Sequence, residues 1–182
     1  MSYNKDMIIN AVPQFQGAMT PRATEMADGC RALAAHASRV LDLPHTVVEL
    51  DQSTSPREGG VSNRAVLTGP NLEAQTAAVA GVEKKILTIG GDCGVEFAPI
   101  RELRERFGPG LAVAWYDAHP DLKTPETAHD GAYHAMVLAG LLGGVGGIVE
   151  GLLFGEGTGL LGGLLGDLQS QVVAPLLLTL NP

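Results

Sequence analysis

A chain of 182 residues can bury one substantial core, which makes one principal domain the starting expectation. Its formal net charge of -8, with acidic residues spread along the chain, excludes a surface of clustered Lys and Arg built for nucleic-acid phosphates, so a small or cationic ligand fits better. Cys30 and Cys93 lie far apart and no charged segment followed by an apolar run marks the N-terminus for secretion, so the expectation is a cytoplasmic protein without a disulfide.

Residues 7–12 form an apolar run that predicts a strand, followed by a polar loop over residues 13–17. Thr20 and Pro21 suit the N-cap and first position of a helix. Met26, Ala27, Cys30, Leu33, Ala34 and Ala37 recur at helical spacing and predict one buried face, ended by residues 42–44. A second strand is expected over residues 46–50, and an Ala-rich helix over residues 71–81 with a kink where Gly69 and Pro70 interrupt it. Residues 86–89 predict a buried strand running through Gly90-Gly91-Asp92-Cys93-Gly94 into a helix over residues 96–107. Residues 111–116 are again almost uncharged and predict a further strand. Apolar strands alternating with helices indicate a mainly parallel sheet covered on both faces, with ligands gathering at the carboxyl ends of its strands. The polar clusters at residues 90–94 and 117–121 fall at such ends.

Near residue 140 the composition turns to Gly and Leu, which divides the chain into an α/β unit over residues 1–139 and a Gly/Leu-rich tail over residues 140–182. Gly143, Gly147, Gly151, Gly155, Gly159 and Gly163 recur every four residues, a ladder that lets apolar helices approach closely. Each glycine inside a helix costs about 1 kcal/mol relative to alanine, so a flexible low-complexity segment and a glycine-mediated helix pair both remain open. The uncharged run over residues 135–149 falls short of the roughly 20 residues that cross a bilayer, which disfavours a transmembrane helix.

Asp117, His119 and Asp121 are spaced by two, so on an extended chain all three would project to one side and chelate a divalent ion. Two carboxylates and an imidazole suit Mn(II), with Zn(II), Fe(II), Co(II) and Ni(II) as alternatives. Spacing alone equally allows a solvated acidic turn.

The glycine-rich segment at residues 90–94, Trp115-Tyr116-Asp117-Ala118-His119-Pro120-Asp121, Thr124-Pro125-Glu126-Thr127 and the His134-Ala135-Met136 segment are similar in order and spacing to ureohydrolase signatures. Over residues 5–140 the chain resembles the family of arginase, agmatinase and formiminoglutamase; histone deacetylases share that fold but not these signatures. The resemblance implies a three-layer α/β/α domain, here incomplete, and a pair of Mn(II) ions at the strand ends. It implies Asp117 as a carboxylate bridging both ions, Asp121 as a ligand of one and His119 as a ligand of the other. His134 matches a proton-shuttling catalytic histidine, although Ala135 replaces the usual glycine after it, and a packed or capping histidine is the alternative. His36, His45 and His129 match nothing and are read as surface residues.

Cys93 stands where the family usually has a metal-binding histidine. It reads either as a softer ligand, favouring Zn(II) or Fe(II) over Mn(II), or as a small buried thiol that has lost the role. Asp92 could orient the ligands or cap the following helix. The family's later Ser-x-Asp-x-Asp-x-x-Asp-Pro stretch has no counterpart in this sequence, so at most one well-held ion is expected. The family reaction is metal-dependent hydrolysis of a guanidino or amidino C–N bond in a small cationic substrate, releasing urea or a similar amide. Two ions acidify a bridging water for attack on the central carbon, and His134 would assist proton transfer. With part of the ligand set missing, this chain alone is expected to be weak or inactive. The alternative is a non-catalytic arginase-like domain whose glycine ladder serves self-association or membrane contact; homo-oligomers are common in the family.

Overall fold

Alternation along two apolar strands decides the layering. In the computed structural model, which describes residues 6–143, β1 (Met7–Val12) lies between β2 (His45–Val47) and β3 (Lys85–Gly90) in one sheet. Both pairings are parallel, with Ile9 opposite His45 and Leu87, and Ala11 opposite Val47 and Ile89. Side chains two apart share a face. Ile9, Ala11 and Ile89 therefore point together toward Cys30 and Ala34 of α1 (Glu25–Leu41). Asn10 and Val12 point the other way, toward α3 (Leu72–Val79): Asn10 Nδ2 donates to the Ala78 carbonyl at 3.3 Å, and Val12 joins Val48 and Val95 in a cluster that packs on Ala74 and Ala78. On that second side α4 (Phe97–Phe107) and α5 (Val137–Leu141) complete the largest cluster, in which Leu72, Val79, Phe97, Ala98, Met136 and Val137 are buried together. Helix, parallel sheet, helix is the three-layer α/β/α arrangement that the sequence predicts.

The helix boundaries follow local chemistry. α1 carries Glu25 and Asp28 in its first turn and Arg39 in its last, each sign matched to the nearby end of the helix dipole. It begins at Glu25 rather than just after Thr20. Residues 20–26 are instead linked by short turns, Thr20 carbonyl to Ala23 N–H and Arg22 carbonyl to Glu25 N–H. Leu33 also departs from expectation, being 56% exposed: the buried face of the helix is carried by the small side chains Ala27, Cys30 and Ala34, and Leu33 lies outside it. Asp42 ends the helix in the left-handed region at φ 53°. The expected kink before α3 is present: a short α2 (Arg64–Val66) widens into a π-turn over Leu67–Asn71, where Gly69 leaves helical geometry ahead of Pro70, which has no N–H to give.

Two expected strands differ. The second ends at Val47, with Val48 N–H still donating to Ala11 O at 2.8 Å. Residues 111–116 form no strand among the described residues and are largely exposed, Tyr116 at 96%. An apolar run becomes a strand only where another strand accepts its backbone groups, and the described sheet ends at β3. No helix among the described residues is long and apolar enough to cross a membrane. The proposed tail over residues 140–182, with all of its glycine ladder after Gly143, lies outside the described residues apart from its first four positions.

Candidate metal centre

The carboxyl end of β3 makes the floor of the site. Gly90 and Gly91 leave the strand, and Asp92 then caps a 3-10 turn over Cys93–Glu96 that leads into α4. Asp92 is buried and accepts three hydrogen bonds: from Gly94 N at 2.8 Å, Gly17 N at 2.9 Å and Gln14 Nε2 at 3.1 Å. Asp92 is thus the expected cap, and its other two bonds brace the loop over residues 14–17 rather than orienting Cys93, Asp117 or Asp121. Burial pushes its carboxyl up, and the three donors and His134 oppose that shift. The glycines are required by close approach. A Cβ on Gly91 would sit 1.9 Å from the Gln14 carbonyl oxygen, and one on Gly17 would sit 2.6 Å from Asp92 Oδ1.

The loop after β1, expected to be polar, is polar but buried: Gln14 and Gln16 are each 1% exposed. Gln14 accepts from Gln75 Nε2 at 2.8 Å while donating to Asp92, and Gln16 Nε2 reaches the carbonyls of Asp51 and Ser53. Sequence reasoning passed over Gln14, Gly17 and Gln75. The available signal was position, since a polar loop at the carboxyl end of a central strand belongs at the ligand side of a parallel sheet.

Above this floor the structure brings Cys93, Asp117 and Asp121 together, one ligand atom from each lying within 4.8 Å of the others. Cys93 Sγ lies 3.9 Å from Asp117 Oδ2. Asp121 is 4% exposed, and its Oδ2 is buried without a hydrogen-bond partner. Its backbone is left-handed at φ 48°, a conformation that aspartate tolerates better than most residues. Ties on either side hold it there, Ala139 N–H to Asp121 O at 3.1 Å and Lys123 N–H to Ala135 O at 2.9 Å. Burial raises the Asp121 carboxyl, and Asp117 adds to the rise while Cys93, His134 and His119 work against it. The Cys93 thiol is pushed up to about 12, first by burial and then by the carboxylates of Asp121, Asp117 and Asp92.

His119 does not join the three. The chain turns at Asp117, whose Oδ1 accepts from His119 N at 2.8 Å, and the imidazole points outward with its side chain 80% exposed and Nδ1 3.8 Å from Asp117 Oδ1. The even alternation expected of an extended strand is absent, so what unites Asp117 with Asp121 is a turn and a left-handed residue. His134 sits in a 3-10 turn over Tyr133–Met136, with its N–H on the Gly17 carbonyl at 3.1 Å, and is only partly buried. Its charge lowers the carboxyls of both Asp92 and Asp121 against the effect of burial. His36 and His129 are exposed, and His45 is half-buried on β2. A cavity of about 630 Å3 opens beside the cluster, lined by Cys93, Glu96, Ile100, Leu103, Trp115 and Asp117.

This donor set does not fit two Mn(II) ions. Hard ions of that kind take several oxygen or nitrogen ligands each, whereas among the described residues three donors converge here and one is a thiol.

The family model described as Arginase family matches residues 17–155. Among curated relatives, the arginase of Coccidioides posadasii is 32% identical over 105 residues, covering 54% of this chain and 33% of the relative. The Bacillus subtilis arginase is 32% identical over 129 residues, 67% of this chain and 43% of the relative, and that of Plasmodium berghei is 48% identical over 58 residues, 32% of this chain and 16% of the relative. The chain thus spans less than half the length of each of these proteins. The solved structure of Entamoeba histolytica arginase in complex with L-ornithine superposes with a TM-score of 0.60 at 24% identity, covering 75% of this chain and 49% of that one, a likeness of fold.

Proposed function

The chain belongs to the arginase family, and from that membership we propose that it carries the first half of a metal-dependent hydrolase centre for guanidino or amidino C–N bonds, with turnover by this chain alone weak or absent. The observation that carries this reading is the convergence of Cys93, Asp117 and Asp121 at the carboxyl end of a parallel sheet. The carboxylates of Asp92 and Asp117 in the cavity lining set a negative potential suited to a small cationic substrate, and Glu96 adds to it. A bound divalent ion would supply an acidified water or a polarised substrate. The protein's own contribution is to hold the site. Asp92 fixes the loop over residues 14–17, the Gly17 carbonyl of that loop accepts from the His134 backbone N–H, and an imidazole of His134 turned into the site would exchange a proton with a leaving amine.

Only partial assembly of the ligand set supports the inactivity. Asp117 and Asp121 converge with Cys93, His119 faces solvent, and the sequence has no second aspartate-rich stretch to enclose a hydroxide between two ions. The test is urea or amide release from arginine, agmatine and formiminoglutamate by the full chain with Mn(II), Zn(II) or Co(II) added. Turnover no better than the metal-containing buffer is expected. Sustained turnover abolished by Asp117→Ala would overturn the inactivity while upholding the assigned site.

A further inference from the structure

Three donors of mixed softness meet at the strand ends, and their chemistry selects an ion. We propose that Cys93 Sγ and the carboxylates of Asp117 and Asp121 hold a single thiolate-accepting divalent ion of the Zn(II) class, with one coordination position left to water, in place of a pair of Mn(II) ions. This rests on the reading of the cluster as a metal centre and goes beyond it in assigning the number and kind of ion.

The geometry is close to what one ion requires. Ligand atoms about 2.0–2.3 Å from a tetrahedral centre stand roughly 3.3–3.7 Å apart. Cys93 Sγ and Asp117 Oδ2 are already 3.9 Å apart, and the widest separation in the set is within 4.8 Å. Side-chain rotations that draw the set in by about an ångström complete the site; Asp117 is on an exposed turn, where its Oδ2 can swing toward Cys93 about the bond its Oδ1 accepts from His119 N. Three protein ligands with an open fourth position is the arrangement of catalytic zinc sites, whereas Mn(II) favours a larger shell of oxygen donors.

An independent observation points to the same place. Asp121 is 4% exposed, and its Oδ2 is buried without a hydrogen-bond partner, the Cys93 thiol being the protein group that interacts with its carboxyl. A buried carboxylate oxygen is ordinarily paired, and an ion is a partner that the surrounding protein donors do not provide. The neighbouring buried carboxylate, Asp92, shows the contrast: its oxygens accept three hydrogen bonds. Asp92 is satisfied by protein, and Asp121 is left aimed at Cys93 and Asp117. Coordination breaks the Cys93 S–H bond, forms the sulfur–metal bond and releases the proton to solvent.

Co(II) reports the chemistry directly, because a thiolate ligand gives a near-ultraviolet charge-transfer band and a four-coordinate site gives intense visible bands. The full chain should bind one equivalent of Co(II) with both signatures, and Zn(II) should displace it at least 100-fold more effectively than Mn(II). Cys93→Ser should lose the charge-transfer band, and Cys93→His should narrow the Zn(II)-over-Mn(II) preference at least tenfold while circular dichroism stays unchanged. One equivalent of Co(II) bound without a sulfur band, or two equivalents of Mn(II) bound as tightly as Zn(II), would overturn the single thiolate site and leave the metal-dependent reading standing. Failure of the wild-type chain to bind any of the three metals would overturn both. The wild-type spectrum decides the matter even if a variant fails to fold.

Discussion

Asp92→Ala removes the group on which the site floor is built, and its cost can be worked from the bonds it breaks. Gly94 N loses its cap, worth about 1 kcal/mol. Gly17 N and Gln14 Nε2 lose a buried acceptor, each costing about 1–3 kcal/mol if left unpaired. The sum, about 3–5 kcal/mol after partial relaxation, is a large share of the roughly 5–15 kcal/mol that holds a domain folded. Asp92→Asn sharpens the argument. Gln14 and Gly94 share Oδ1, whereas Gly17 uses Oδ2. An amide oriented to keep the first two bonds must set its NH2 against the Gly17 N–H, so this variant should fall between, losing about 1–3 kcal/mol. Urea denaturation of the full chain followed by far-ultraviolet circular dichroism is the assay. The midpoint should fall in the order wild type, Asp92→Asn, Asp92→Ala with similar slopes. A loss below about 1 kcal/mol for the alanine variant, or an asparagine variant as stable as wild type, would refute the brace.

Glu96 is raised by burial, so its folded carboxyl ionises at higher pH than the unfolded one; the stability tied to its protonated form is present in acid and lost as pH rises through the folded value. Glu96→Gln should therefore gain on wild type as pH increases from about 4 to about 7 in urea titrations, and a pH-independent difference would contradict this assignment. Gly91→Ala would press a Cβ to 1.9 Å from the Gln14 carbonyl oxygen, a backbone atom that cannot rotate away, and should lower the thermal midpoint markedly, whereas an unchanged midpoint would show that the turn relaxes freely. Leu33→Glu, at an exposed position, should change stability by less than about 0.5 kcal/mol; a loss of several times that would place Leu33 in the core after all.

The periodic parts of the fold were legible because a buried face repeats along each element and the fold supplies a partner for that face, however distant in sequence. The strand at residues 7–12, the strand ending at Gly90 and the face of Ala27, Cys30 and Ala34 all pack on one another, so their patterns and their burial agree. The break at Gly69 and Pro70 was legible for a covalent reason, the missing proline N–H. Residues 111–116 misled because an apolar run states what a strand needs and not whether a neighbour exists. At the site, residue types and order pointed to Asp117, Asp121, Cys93 and His134, but spacing could not foresee that His119 would be turned outward by the bond between its N–H and Asp117, or that Asp121 would adopt a left-handed backbone. Nor could it foresee the pairing of Gln14 with Asp92 across 78 positions, a contact set by sheet order rather than by local sequence.

If Cys93, Asp117 and Asp121 hold one ion between them, metal content must depend on each of the three. Elemental analysis of the full chain after dialysis against Zn(II) tests it most directly, beside Asp121→Asn, which keeps the tolerance for a left-handed backbone but removes the ligand charge. One zinc per chain in the wild type and almost none in the folded variant is the result predicted here. Equal zinc in both, or none in the wild type, would contradict it.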